Sequence, residues 1–242
     1  MIDLGRCKHI FFDLDGTLWD FERNSDATMQ QLWHQYIEPI CNASYDDFMK
    51  KYHIRNEQLW DAYAVGKVNK EQVHYDRFIY TLYDINIHNM PLAYQLGDAY
   101  VASARKGKYL YEGTHEVLTY LKQYYTLHII SNGFSESQYE KLAATQLRPY
   151  FETITLSDNA GALKPSPLIY KYALQVANTS IKESVYIGDN YIADVMGAIN
   201  AGWIAIRASY KKYSNEIEYI QDDIGSYISI KTLYQLILLF AK

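Results

Sequence analysis

Short apolar runs that break off in a polar residue recur along this chain, and they limit the folds open to it. Ile10-Phe11-Phe12 ends at Asp13, Leu127 to Ile130 runs into Ser131-Asn132-Gly133, and Val185-Tyr186-Ile187 into Gly188-Asp189. Thr153 to Leu156 leads into the polar loop Ser157 to Gly161, and a further run spans Trp203 to Ile206. Runs this short, rich in β-branched and aromatic residues, match strands buried on both faces of a parallel sheet. Helical patterns separate them: Thr114 to Gln123, a stretch capped by Ser135 with Gln138 three residues on, Leu168 to Val176, and one ending near Gly202. Strand and helix in alternation imply βαβ units, hence an α/β fold with a Rossmann-like, doubly wound parallel sheet. Tyr210 to Asp223 is polar and carries no assignment; Tyr227 to Ile230 is a last strand before a C-terminal helix.

Residues 19–104 follow another grammar. Met29, Leu32, Trp33 and Tyr36 recur at helical spacing behind a cap at Asn24 or Ser25. Ser44 with Asp47, and Asn69 with Gln72, open two further helices as N-terminal caps, and Pro91 starts a fourth. Strand alternation is missing throughout. The organisation expected is an α/β core, residues 1–18 with 105–242, interrupted after its first strand by an all-helical insertion over 19–104. Placed after the first strand, such an insertion lies above the strand ends and can act as a lid that expels water and selects substrates.

Composition excludes several classes of partner. A net charge of -5 without a Lys/Arg block argues against a nucleic-acid polymer, whose phosphates need neutralising cations. No run reaches transmembrane length and no leader-type stretch opens the chain, so no membrane partner is expected. Cys7 and Cys41 have neither metal-type spacing nor a disulfide framework, and are expected as buried free thiols in a reducing, cytoplasmic setting. The oligomeric state is not legible. The 25 tyrosines suit core packing and nucleobase-sized surfaces alike, and decide nothing.

The chemistry lies in what the strand ends carry. Asp13 and Asp15 can share one side of a turn that Gly16 permits, as nucleophile and general acid/base. Taken singly, each motif also has an ordinary explanation: an Asp-Gly turn at 15–16, a simple turn at Ser131-Asn132-Gly133, a solvated loop lysine at Lys164, a favourable helix-start charge at Asp194. In a parallel sheet, however, these ends converge on one edge, so residues far apart in sequence share a site. Carboxylates without matching His or Cys imply a hard, oxygen-bound cation, Mg²⁺ beside a phosphate, with Asp13 and Asp189 as side-chain ligands. Ser131, the neighbouring backbone N–H groups including that of Asn132, and Lys164 can bind the oxygens of a transferring phosphoryl group. Asp194, five residues after Asp189, can orient Lys164 or support the metal.

Together these residues resemble the haloacid dehalogenase superfamily of aspartate-based phosphohydrolases. Phe12-Asp13-Leu14-Asp15-Gly16-Thr17 is similar to its first motif, Ile130-Ser131-Asn132-Gly133 to the second, Lys164-Pro165 to the third, and Gly188-Asp189-Asn190 with Asp194 to the fourth. The resemblance implies that Asp13 attacks phosphorus to form an aspartyl-phosphate, and that Asp15 protonates the leaving alkoxide and then activates water. It also implies Mg²⁺ held by Asp13, Asp189 and the backbone carbonyl of Asp15. The insertion resembles the C1-type helical cap, and the retained Asp15 speaks for phosphate rather than halide chemistry. Leu18-Trp19-Asp20-Phe21, Asn24-Ser25, Phe134, Gln138 and Lys141 resemble the pyrimidine 5'-nucleotidases. The function expected is Mg²⁺-dependent hydrolysis of a small phosphomonoester, a nucleoside 5'-monophosphate in the first instance, with Trp19 and Phe21 as candidates for stacking on a base or for core packing. A sugar phosphatase, a phosphoglycolate phosphatase or a phosphomutase is the alternative, followed by a noncatalytic binding protein on the same fold.

Overall fold

The computed structural model describes residues 2–210 and 216–242; part of the polar stretch left unassigned by sequence therefore lies outside the described residues. Strand β1 (His9–Phe12) opens the fold, after which the chain leaves for the helices α1 (Phe21–Leu32), α2 (Tyr45–Ala64), α3 (Lys70–Asp84) and α4 (Met90–Ala104). It returns through α5 (Thr114–Leu121), β2 (Thr126–Ser131), α6 (Ser135–Ala144), β3 (Thr153–Leu156), the short α7 (Ser157–Ala160) and α8 (Pro167–Val176). Then come β4 (Ser184–Gly188), a π-helical segment Tyr191–Met196 running into α9 (Gly197–Asn200), β5 (Ile204–Ala208), β6 (Glu218–Gln221), β7 (Ser226–Ile230) and α10 (Gln235–Leu239).

The strands form one seven-stranded sheet in the order β3-β2-β1-β4-β5-β7-β6, parallel except for β6 against β7. The expected doubly wound parallel sheet is thus present, extended by an antiparallel edge strand within the unassigned polar stretch. Strand β1 is flanked by β2 and β4, and the chain reaches β4 only after completing β2 and β3 on the other side. That reversal of strand order opens a crevice at the C-terminal ends. Ile10 and Phe12 pack into one apolar cluster and Phe11 into another, as the alternation of a strand buried on both faces requires. In register, Phe12 lies beside Ile129 and Ile187, and the backbone N–H of Asp13 donates to the carbonyl of Ile187 at 2.8 Å, so all three strands run out at one level.

The chain divides into two compact units, Met1–Phe21 with Lys108–Lys242, and Glu22–Gly107. The second is helical, with Met29, Trp33, Phe48, Tyr52, Phe78 and Leu96 in its core. Ser44 caps α2 through the N–H of Asp47, and Asn69 with Gln72 forms a reciprocal capping box on α3, as their spacing predicts. Two expected caps fail. Helix α1 begins at Phe21, so Asn24 and Ser25 lie inside it, buried. Ser135 does not cap α6: its hydroxyl donates to Asp158, and Gln138 is drawn elsewhere. Cys7 is buried but Cys41 is only partly so, which corrects the expectation for the second thiol. Among the described residues no helix is long and apolar enough to cross a membrane.

Candidate active site

The strand ends bring three carboxylates and one ammonium together. Asp13 follows β1, Asp189 follows β4, and Asp194 lies on the π-helical segment beyond it; one carboxylate oxygen from each falls within 4.8 Å of the others. Lys164 reaches in from the loop after β3. Its ammonium donates to Oδ1 of Asp13 at 2.7 Å, to Oδ1 of Asp194 at 2.6 Å and to the hydroxyl of Tyr186 at 2.8 Å, which uses all three of its N–H groups. The loop is held by Asn132: its Nδ2 donates to the carbonyl of Lys164 at 2.9 Å and its Oδ1 accepts from the Lys164 N–H at 2.7 Å. The Asn132 side chain thereby braces the loop that carries Lys164, and its Nδ2 keeps a second hydrogen beyond that pairing.

Charge in this enclosed space follows burial. Removal from water holds the Asp13 carboxyl well above the usual carboxylate range, against the pull of Lys164 and with the neighbouring carboxylates adding to it. Asp189 is pushed up to about 7, first by burial and then by Asp194. For Lys164 burial works downward, yet Asp13 and Asp194 outweigh it and keep the ammonium above its ordinary value. Three carboxylates face one ammonium, an arrangement short of positive charge. The donor set is all oxygen, which suits a hard divalent cation. The members differ in availability. Asp194 accepts from Lys164 and Tyr186 with one oxygen and from the Asn190 N–H with the other. Asp13 and Asp189 spend one oxygen each, on Lys164 and on the hydroxyl of Thr17 at 2.9 Å. A cation therefore fits Asp13 and Asp189, with Asp194 as support.

Glycine is needed where the backbone presses on these acids. Gly16 has φ +84°, and a Cβ there would collide with the Asp189 carboxylate; one at Gly188 would collide with Asp194. Asp15 stands outside the three-carboxylate cluster and faces α6, where Lys141 donates to its Oδ1 at 2.6 Å and Gln138 to its Oδ2 at 2.8 Å. Gln138 also donates to Oγ of Ser131 at 2.6 Å, and the Gly133 N–H donates to the same oxygen at 3.1 Å. With two bonds accepted, the Ser131 hydroxyl keeps its own hydrogen for another acceptor.

Of the two aromatic candidates, Trp19 is 1% exposed, packs in the core beside Phe21 and is overlaid by the Lys141 ammonium, 4.3 Å from its ring centre. Core packing, not base stacking, is what that ring does. Phe21 is partly buried against the same cluster. Two contributors are hidden in the sequence. Tyr186 reads as one more apolar residue of β4, and only its buried hydroxyl, bonded to Lys164 and Asp194, shows its polar task. Thr17 follows Gly16 as an ordinary turn residue until its hydroxyl meets Asp189.

A family model for haloacid dehalogenase-like hydrolases matches residues 7–202. The chain belongs to that family. Its sequence is 28% identical over 198 residues to the HAD-hydrolase YfnB of Bacillus subtilis, spanning 81% of this chain and 82% of the other. It is 31% identical over 200 residues to the pyrimidine 5'-nucleotidase PynA of Streptococcus pneumoniae, 81% of each chain. With the glyceraldehyde 3-phosphate phosphatase of Pyrococcus furiosus it shares 30% over 220 residues, 88% of this chain and 86% of the other. The crystal structure of YfnB bound to magnesium superposes with a TM-score of 0.85 at 24% identity, covering 98% of this chain and all of that one. The haloacid dehalogenase-like fold expected from the motifs is thereby borne out, and so is the enzyme class, a phosphoric monoester hydrolase.

Proposed function

We propose that this haloacid dehalogenase-like hydrolase cleaves small phosphomonoesters through a phosphorylated Asp13, with nucleoside 5'-monophosphates as its substrates. The observation that carries the proposal is the placement of Asp13: at the end of β1, 2.7 Å from the Lys164 ammonium, beside Asp189, with a second aspartate two residues on. In this reading Ser131 donates its hydroxyl hydrogen to a phosphoryl oxygen, helped by the backbone N–H groups around Asn132, and Lys164 balances the developing negative charge. An Asp13 carboxylate oxygen bonds to phosphorus as the ester P–O bond breaks, and Asp15 gives its proton to the departing alkoxide. Asp15 then takes a proton from water as that water attacks the phosphorus of the aspartyl-phosphate, freeing inorganic phosphate and restoring Asp13. Mg²⁺ bound by Asp13, Asp189 and the backbone carbonyl of Asp15 would neutralise phosphoryl charge. The free oxygens of Asp13 and Asp189 support that assignment, as does the magnesium in the crystal structure of YfnB.

Likeness to PynA supports a nucleoside leaving group. Likeness to the Pyrococcus phosphatase supports the second reading, a sugar phosphate as substrate with the sugar as leaving group, and the phosphomutase alternative shares the same Asp13 chemistry. The helical unit Glu22–Gly107, resembling a C1-type cap, is the part of the chain to which we assign choice among them. The test is a panel of phosphomonoesters with purified protein and Mg²⁺. Release of inorganic phosphate, lost in Asp13→Asn, is expected; no hydrolysis, or full activity in Asp13→Asn, refutes the hydrolase reading. A sugar phosphate preferred by orders of magnitude refutes the nucleotidase part, and an isomeric phosphate as product replaces hydrolase by mutase.

A further inference from the structure

Helix α6 holds Asp15 by both oxygens. Gln138 and Lys141 are three residues apart and so share one helix face, and each takes one carboxylate oxygen, at 2.8 and 2.6 Å. Neither is a surface group: Gln138 is fully buried and Lys141 is 8% exposed, its ammonium lying over the Trp19 ring. The Gln138 amide cannot be turned over, because its Nε2 hydrogens already face Asp15 and Ser131, and Oε1 in their place would oppose a carboxylate. Oε1 is left buried without a partner. An orphaned buried acceptor is unfavourable, and packing alone gives no reason to keep it. Gly133 makes room for the amide, since a Cβ there would collide with it.

We propose that Gln138 and Lys141 are positioning residues of the hydrolytic reaction. Between them they fix both oxygens of Asp15, and through Gln138 they tie that carboxylate to the Ser131 hydroxyl, so that proton carrier and phosphate-binding group are set as one unit before substrate arrives. The inference rests on Asp15 acting as the proton carrier proposed above. A carboxylate on a short side chain otherwise turns about two bonds, and a misplacement of about 1 Å can cost roughly 100-fold in rate.

The test compares full-length wild-type protein with Lys141→Met, which keeps the stem over Trp19 and removes the ammonium. Turnover is measured with an alkyl phosphomonoester and with p-nitrophenyl phosphate, whose leaving group departs without a proton. For the alkyl ester we expect kcat to fall about 10- to 100-fold with KM within about threefold. Lys141→Arg should recover most of the loss. In an Asp15→Ala background, followed with p-nitrophenyl phosphate, Lys141→Met should lower kcat no further, because its effect passes through Asp15. Gln138→Met is carried through the same cycle, so a failure of Lys141→Met to fold does not end the test. Unchanged kcat in both variants, or equal losses with and without Asp15, would overturn the proposal. An unimpaired Asp13→Asn control would instead remove the hydrolase reading beneath it.

Discussion

Replacing Lys164 by Met should weaken the fold itself, by an amount the site geometry sets. The ammonium is 3% exposed and contacts Asp13, 6% exposed, and Asp194, 1% exposed, so water replaces none of what the substitution removes. Taking one partner out of a buried ion pair costs about 3–5 kcal/mol, because the remaining charge is uncompensated. With an unfolding entropy near 2.1 cal/mol/K per residue, a chain of 242 residues has a total of about 0.5 kcal/mol/K, so the melting temperature should drop by roughly 6–10 °C. The deficit has a pH signature. Burial already holds Asp13 above the usual carboxylate range, and without Lys164 nothing restrains it. An acid whose folded-state pKa is raised destabilises most at neutral pH and less as falling pH supplies the proton it wants. The gap between variant and wild type should therefore narrow from pH 7.5 to pH 5. Differential scanning calorimetry in the presence of a chelator measures this. Melting temperatures within 2 °C of each other at pH 7.5, or a gap that widens on acidification, would refute the view of Lys164 as the charge that makes two buried carboxylates tolerable.

Tyr186→Phe removes the third acceptor of Lys164 and a donor to Asp194; it should cost about 1–3 kcal/mol in chemical denaturation, and an unchanged midpoint would show that the hydroxyl is idle. Gly16→Ala forces a side chain to φ +84° against the Asp189 carboxylate, and should both destabilise the fold and weaken Mg²⁺ binding measured by calorimetry; wild-type affinity would refute the close approach. Away from the site, His128 is fully buried, stacked on Phe11 and bonded to His9 and Thr153, and burial and then His9 hold it down at about 4 instead of 6.5. The unfolded chain therefore binds more protons between those values, and stability should fall as pH drops through that window by at most about 3 kcal/mol, a slope that His128→Leu should flatten.

Much of the site is local, and local features survive in a sequence. Apolar runs ending at Asp13, Ser131 and Asp189 mark strand ends because a buried parallel strand must be apolar until it leaves the sheet. Caps at Ser44 and Asn69 were legible for the same reason: the side chain and the N–H it satisfies are three residues apart. The Ser135 cap failed because its neighbour Asp158 and its partner's other target, Asp15, are more than twenty and more than a hundred residues away, respectively.

What the chain order alone determined is which groups meet: an Asp-x-Asp turn after β1, a lysine on the loop after β3 and a third acid after β4 converge on the edge of a parallel sheet where these strands end. Only the tertiary structure decided how each group is held. The Asn132 side chain braces the Lys164 loop, the Trp19 ring packs in the core under the Lys141 ammonium, and Tyr186, an apolar strand residue by sequence, joins the charge network through its hydroxyl. In each case the deciding partner lies on a different strand or loop, and the role of an amphipathic side chain depends on which end of it meets water, which no spacing rule records.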